Sequence, residues 1–412
     1  MDISVRFTDL LAIYRAELLG RTIPFWMTHA LDQDQGGIAT CISDEGHVSS
    51  TDKYLWSQLR AIWTFSALYN KIEPRQEWLD AAWHIYNFVK QHGRDEGGRW
   101  VFAVNAAGDV LQGPTSIYTD GFAIYGLTEL ARATGDKESI SLALETYWNV
   151  QRLLESPGSY TTAPYPLPEG VKAHGVAMIF SLVFHELGRL LEDQMILEAG
   201  YQQAEEVMTA FLRQEEGLIY EYVSLDNEPI DSPQGRAIVP GHAIESMWFM
   251  IHIYQYWKNQ SRIDQAVAVI KRHIEYGWDG KYGGILLSRD AAGGEPWWPF
   301  ADSKLWWPHT EALYALLLAY EQSSEVWALD WFSKVHEYAF THYPVPVFGE
   351  WTQKLDRQGR KFKETVALPV KDPFHLPRAL IYCSGVLARL SGDYLPQDLG
   401  QKSRSQPIPS AL

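Results

Sequence analysis

The chain has 412 residues, of which 46% are hydrophobic and 21% charged, with a formal net charge of −16. This is the composition of an ordinary globular protein with ample core, and the negative balance argues against a protein that grips a phosphate backbone. Two cysteines, Cys41 and Cys383, form no metal or redox motif, and no apolar run reaches membrane-spanning length.

The N-terminal stretch MDISVRFTDLLAIYRAELL reads as an amphipathic helix over residues 5–20 and not as a signal peptide, because acidic residues interrupt it. A soluble, reducing, cytoplasmic setting is the expectation. Helical periodicity returns in QLRAIWTFSALYNKI, WLDAAWHIYNFVKQH, AMIFSLVFHELGRLL, QAVAVIKRHIEYGW and TEALYALLLAYEQ, each with apolar residues three or four apart. Shorter pieces of another kind alternate with these. They are GGIATCISDEGHV (36–48), GGRWVFAVNAAGDV (97–110), EGLIYEYVSLDNEPI (216–230), GGILLSRDAAGGE (283–295) and GEWTQKLDRQGRK (349–361). Each has a glycine at or near its start, a β-like run and a polar turn, which predicts hairpins.

The hairpins recur. Gly36 to Gly97 is about 61 residues, and Gly217 to Gly283 and Gly283 to Gly349 are about 66 each. Gly97 to Gly217 is about twice the unit, with SPGSYTTAPYPLPEG as a degenerate member in its middle. Six units of two helices and a hairpin follow. The N-terminal helix has one apolar face and would pair with the last inner helix (375–391), which favours closure over an open solenoid with unlike end caps. The expected fold is therefore an all-α (α/α)6 barrel with short β-hairpins in its loops. It forms one domain over 1–395, with a loose tail over 396–412.

A distinctive residue stands near the start of each inner helix: Arg60, Tyr118 with Asp120, His174, His242, His309 and His375. Their spacing keeps the hairpins' register, at about 56 to 68 residues. A lone histidine is ordinarily a satisfied structural group. Four in one register of a ring point instead to a common cavity. Glu245 lies one helical turn after His242, and Glu311 lies two residues after His309.

The 17 Trp and 22 Tyr are an excess that suits stacking on sugar rings as well as helix packing. Zinc-type spacing, a nucleophile elbow and a phosphate-binding glycine loop are all missing from the sequence. A glycosidase would need paired carboxylates where histidines stand. Two histidines on opposite faces of one carbon can remove a proton and return it on either side, while an arginine steadies the enediolate oxygen. That chemistry needs no cofactor and no metal.

KYLWSQLRAIWTF, QGRAIVPGHAIESMWF, KLWWPHTEALYALL and FHLPRAL, in that order, resemble the N-acylglucosamine 2-epimerase superfamily over nearly the whole chain. The resemblance implies an (α/α)6 barrel, His242 and His375 as the catalytic pair, and Arg60 on the sugar's C1/C2 oxygens. It also implies Glu245 as the carboxylate that orients or pairs with a catalytic histidine, and Glu311 as a further site carboxylate. His174 departs from the apolar run (ALAVPMI-like) of the N-acetylglucosamine branch and is similar to the histidine of enzymes acting on unacetylated sugars. On that feature the expected reaction is D-mannose/D-glucose interconversion, with His174 as proton relay. The alternatives are N-acylglucosamine 2-epimerisation and mannose–fructose isomerisation. Trp56, Trp248, Trp306, Trp307, His309, Tyr118 and Asp120 are the remaining expected substrate contacts. The expected partner is a small monosaccharide, with no nucleic acid and no membrane, and the protein is expected to be a monomer or homodimer.

Overall fold

A computed structural model describes residues 3–156, 158–362 and 369–392. The expected tail (396–412) and the domain boundary at 395 lie outside the described residues. Six inner helices form a closed ring: α3 (Leu55–Lys71), α5 (Ile117–Thr134), α7 (His174–Leu191), α9 (Pro240–Tyr256), α11 (Trp306–Ser323) and α13 (His375–Ser391). Each packs on the next, and α13 packs back on α3. An outer layer consists of α4 (Gln76–His92), α6 (Lys137–Leu154), α8 (Gln194–Glu206), α10 (Gln260–Gly277) and α12 (Val326–His342). The N-terminal helix α1 (Ile3–Glu17) packs on α13 and completes the sixth pair, as its apolar face predicts. It runs through a π turn at Leu18–Thr22 into α2 (Ile23–His29). Pro24 has no N–H to donate there, and the ladder is re-spaced around it.

The two ends of the barrel differ because their connections differ. Inner helices pass to outer ones through tight turns, with Gly135 in the left-handed region at φ 71° closing α5 and the Asp136 carboxylate capping α6 on the N–H of Ser139. Outer helices return to inner ones through the long hairpin segments. The short strand before an inner helix pairs with the following unit. Lys53–Tyr54 pairs with Ala103–Val104, Val171–Ala173 with Tyr222–Ser224, Ala237–Ile238 with Arg289–Asp290, and Lys304–Leu305 with Lys354–Leu355. The ring is closed at this end by the N–H of Lys371 donating to the carbonyl of Thr40 at 2.7 Å. All six inner helices begin here, so their positive dipole ends surround one space.

Candidate active site

At that end the inner helices and hairpins enclose a cavity of about 280 Å³. This is near the lower bound of small-molecule sites, about 300 Å³. His242, in the first turn of α9, and His375, the first residue of α13, both line it. The indole of Trp307 touches both rings, stacked on His242 with centroids 4.9 Å apart and tilted against His375 at 5.6 Å.

Each imidazole is held through Nδ1 by its own buried carboxylate. His242 Nδ1 lies 3.1 Å from Glu221 Oε2, and His375 Nδ1 lies 2.7 Å from Glu311 Oε1. A carboxylate only accepts, so Nδ1 carries the proton in both rings and Nε2 is left for the cavity. The surroundings then separate the two rings. Burial and the nearby Arg60 and Arg378 cations lower the His375 pKa to about 3, although Glu245 and Asp372 oppose the shift. Burial also acts to lower that of His242, but the Glu221 charge and hydrogen bond, with Glu245, outweigh it and raise the value. Glu221 itself is held ionised at about 2, because the two histidines facing it outweigh the cost of its burial. Near neutral pH the cavity therefore presents one neutral imidazole and one imidazole biased to the cation.

Arg60 lines the cavity with its guanidinium 4.0 Å from the Phe122 ring centroid and Nη1 3.3 Å from Asp372 Oδ2. Trp56, Tyr118, Glu245, Trp306 and Trp307 line it as well. The other expected residues lie elsewhere. His174 is fully buried behind Glu221, its Nδ1 3.6 Å from Glu221 Oε1, and it does not line the cavity. Glu311 and Trp248 form a layer behind His375, with the Trp248 indole N–H donating to Glu311 Oε2 at 2.8 Å.

His309, expected as a substrate contact, does not line the cavity. Its Nε2 accepts from the N–H of Ile285 at 2.8 Å, and its Nδ1 faces the carbonyl of Leu305 at 2.7 Å. It is the fourth residue of α11, whereas His375 is the first of α13. Three residues on a helix turn a side chain by about 300°, and that turns His309 towards the hairpin. Asp120 is buried facing Arg99, 3.8 Å away, and is absent from the cavity wall.

Glu245 does not orient His242. It pairs with Arg378, which also donates to Glu311 at 2.7 Å. Glu245, Glu311 and His375 bring ligand atoms within 4.8 Å of one another, a metal-like spacing. The Arg378 guanidinium bonds both carboxylates, so the charge a cation would supply is already present.

Sequence reasoning missed Glu221, Arg378, Asp372 and Trp298. Arg378 follows His375 by three residues, as Glu245 follows His242, and these two opposite charges at one offset are a readable signal.

The family model described as N-acylglucosamine 2-epimerase (GlcNAc 2-epimerase) matches residues 27–379. The chain belongs to this family. This family member is similar to N-acylglucosamine 2-epimerase of Mus musculus, 31% identical over 392 residues and 90% of each chain. It is also similar to cellobiose 2-epimerase of Dictyoglomus turgidum, 26% identical over 348 residues, 78% of this chain and 83% of the relative. Among solved structures, cellobiose 2-epimerase from Spirochaeta thermophila superposes with a TM-score of 0.79 at 22% identity, covering 93% of this chain and 98% of that one. A D-mannose isomerase gives 0.77 at 17% identity, covering 92% and 97%. These two share the barrel. The chain is an isomerase of the carbohydrate 2-epimerase class.

Proposed function

We propose that the protein inverts C2 of a free reducing sugar by moving a proton between His375 and His242, and that its substrate pair is N-acylglucosamine and N-acylmannosamine. One observation carries the reading: two imidazoles on one cavity, each fastened by a separate carboxylate, with opposite protonation preferences. The sugar opens to its aldehyde form. Neutral His375 takes the C2 proton through Nε2. Charge gathers on the C1 oxygen, where Arg60 and the positive ends of the inner helices stabilise the enolate, whose C2 carries the acylamino nitrogen. The His242 imidazolium then delivers a proton to the opposite face of C2. In the other direction the two exchange roles. With a free aldose, whose C2 carries a hydroxyl, return of the proton to C1 would give the ketose instead.

The cavity's polarity supports the N-acyl substrate. Arg60, His242, Glu245 and His375 come from α3, α9 and α13, while α5 and α7 contribute Tyr118, Phe122, Met178 and Ile179. The Phe122, Met178 and Ile179 side chains of that arc suit the methyl of an acyl group, beside the Tyr118 phenol. The N-acylglucosamine 2-epimerases of Mus musculus and Bos taurus, similar to this chain over 90% and 92% of its length, carry the same substrate name. A second reading, D-mannose/D-glucose, keeps one argument in its favour, the histidine at 174 where the N-acyl branch is expected to be apolar. Because His174 stands behind Glu221 and touches no cavity space, that argument bears on proton transfer more than on substrate choice.

Incubation in D2O with N-acetylmannosamine, N-acetylglucosamine, mannose, glucose and cellobiose tests both points. The expected result is the C2 epimer of the N-acyl sugars carrying deuterium at C2. Turnover of mannose alone overturns the substrate reading, and epimer without deuterium at C2 overturns the mechanism.

A further inference from the structure

Glu221 sits on a segment that belongs to neither catalytic helix. Its neighbour Tyr222 begins a strand, Tyr222–Ser224, that pairs antiparallel with Val171–Ala173. The backbone N–H of His174 donates to the carbonyl of Glu221 at 2.9 Å. This pairing fixes His174 and Glu221 together, one behind the other, on the line that ends at His242. Glu221 Oε2 meets His242 Nδ1, while Glu221 Oε1 faces His174 Nδ1 at 3.6 Å. Oε1 and both ring nitrogens of His174 are buried with no hydrogen-bond partner among the described residues. A buried carboxylate oxygen that faces a buried imidazole favours a proton held between them in some state of the site.

We infer that Glu221, backed by His174, is a positioning pair that keeps His242 as the acid of the resting enzyme and balances the Glu221 charge when His242 has given its proton to the sugar. This rests on the two-histidine reading above. When His242 becomes neutral, Glu221 loses its cationic neighbour while itself buried. His174, already facing the other oxygen, needs to close only a few tenths of an ångström to hydrogen-bond it. Neither residue need touch the reacting carbon; both act through the His242 ring.

The other groups around His242 do not supply this function. Glu245 on its own helix is committed to Arg378. From α5 comes the Tyr118 phenol and from the hairpin the Tyr222 phenol, both held neutral by burial and by the Glu221 charge. From α13 comes His375, itself bound to Glu311. Trp307 of α11 and Trp298 of the 286–302 loop offer indole faces and edges.

The test is the pH dependence of epimerisation for wild type, Glu221→Gln and His174→Phe, using the sugar that wild type turns over, with deuterium wash-in at C2 followed in parallel. Glu221→Gln removes the charge and keeps the shape. Its alkaline limb is expected to move down by about one to two pH units, and its kcat at neutral pH to fall about 10- to 100-fold. The 13C-histidine NMR titration of His242 should move with it. His174→Phe removes the group that balances the bare Glu221 charge, so it should move the limb the opposite way, upward, and by less. Equal loss of activity at every pH, with the limb and the His242 titration unmoved, would overturn the inference and leave Glu221 a structural residue. Wild type with no C2 exchange would instead refute the two-histidine reading, so the two failures are distinguishable.

Discussion

His242 and His375 are the same side chain in different surroundings, and the proposed mechanism uses the difference. Exchanging either for Asn should lower kcat by about 10² to 10⁴, the usual contribution of a positioned acid or base. The pH profile follows from the two shifts. His375 acts as base only when neutral, which burial secures down to about pH 3. His242 acts as acid only when charged, and its pKa is held above the ordinary 6.5. Both directions of the reaction need one proton on the pair in total, so both share one profile. Initial rates should hold through mildly acidic pH and fall along an alkaline limb above pH 6.5. A rate that climbs steadily from pH 6 to 9 would contradict this assignment of acid and base. The placement of His242, His375 and Arg60 on one cavity was legible in the sequence because each stands near the start of a repeat unit's inner helix. His309 was misread because a spacing of about 60 residues does not resolve the three-residue offset that rotates a helical side chain away. Glu221 and Asp372 were hidden for another reason. They reach the cavity from segments between helices, where no periodicity marks which side faces in.

Helix spacing in the inner ring is set by small residues, and Gly126 shows how closely. It sits mid-way along α5, and a Cβ added there would lie 2.4 Å from the backbone carbonyl oxygen of Leu59 on α3. The main chain cannot yield as a flexible side chain would. Gly126→Ala should therefore destabilise by about 1–3 kcal/mol through overpacking, although Ala is the better helix former by about 1 kcal/mol. Gly20, with nothing within 4 Å of its would-be Cβ, is the control and should be neutral or slightly stabilised by the same change. Urea denaturation of the two variants checks this, and equal stability of both would mean that α3 and α5 can move apart freely. At this scale the sequence was a good guide. Apolar periodicity located the helices, and the recurring glycine-led segments located the hairpins. The pairing of a leading strand with the following unit was not legible, because strands of two or three residues carry no alternation long enough to name a partner. That pairing decides which loop residues meet at the cavity, as Tyr222 against Ala173 illustrates.

The whole molecule carries many histidines that folding keeps neutral. Burial lowers His252, His309 and His375 to about 3 and His185, His273 and His336 to about 4, with charged neighbours modifying each. The sign is fixed by linkage. These folded-state values lie below the unfolded value of about 6.5, so unfolding takes up protons as pH falls through that window. Their contribution is present in full above pH 6.5 and is lost progressively towards pH 3–4. Glu221 and Asp279, held at about 2, act in the same direction at lower pH. Asp120 and Glu350, raised to about 7 mainly by burial, act oppositely, as do Glu17 and His242. They offset part of the loss. Net charge argues the other way too, since a formal charge of −16 would relax on acidification and relieve self-repulsion. The local term should win, because these histidines are buried where salt and water screen them little, whereas the surface charge is screened over about 8–10 Å. The urea midpoint should therefore fall between pH 7 and pH 5 in 0.15 M salt, with unfolding consuming protons. A midpoint that rises over that interval would mean that surface repulsion, and not the buried imidazoles, sets the acid stability of the barrel.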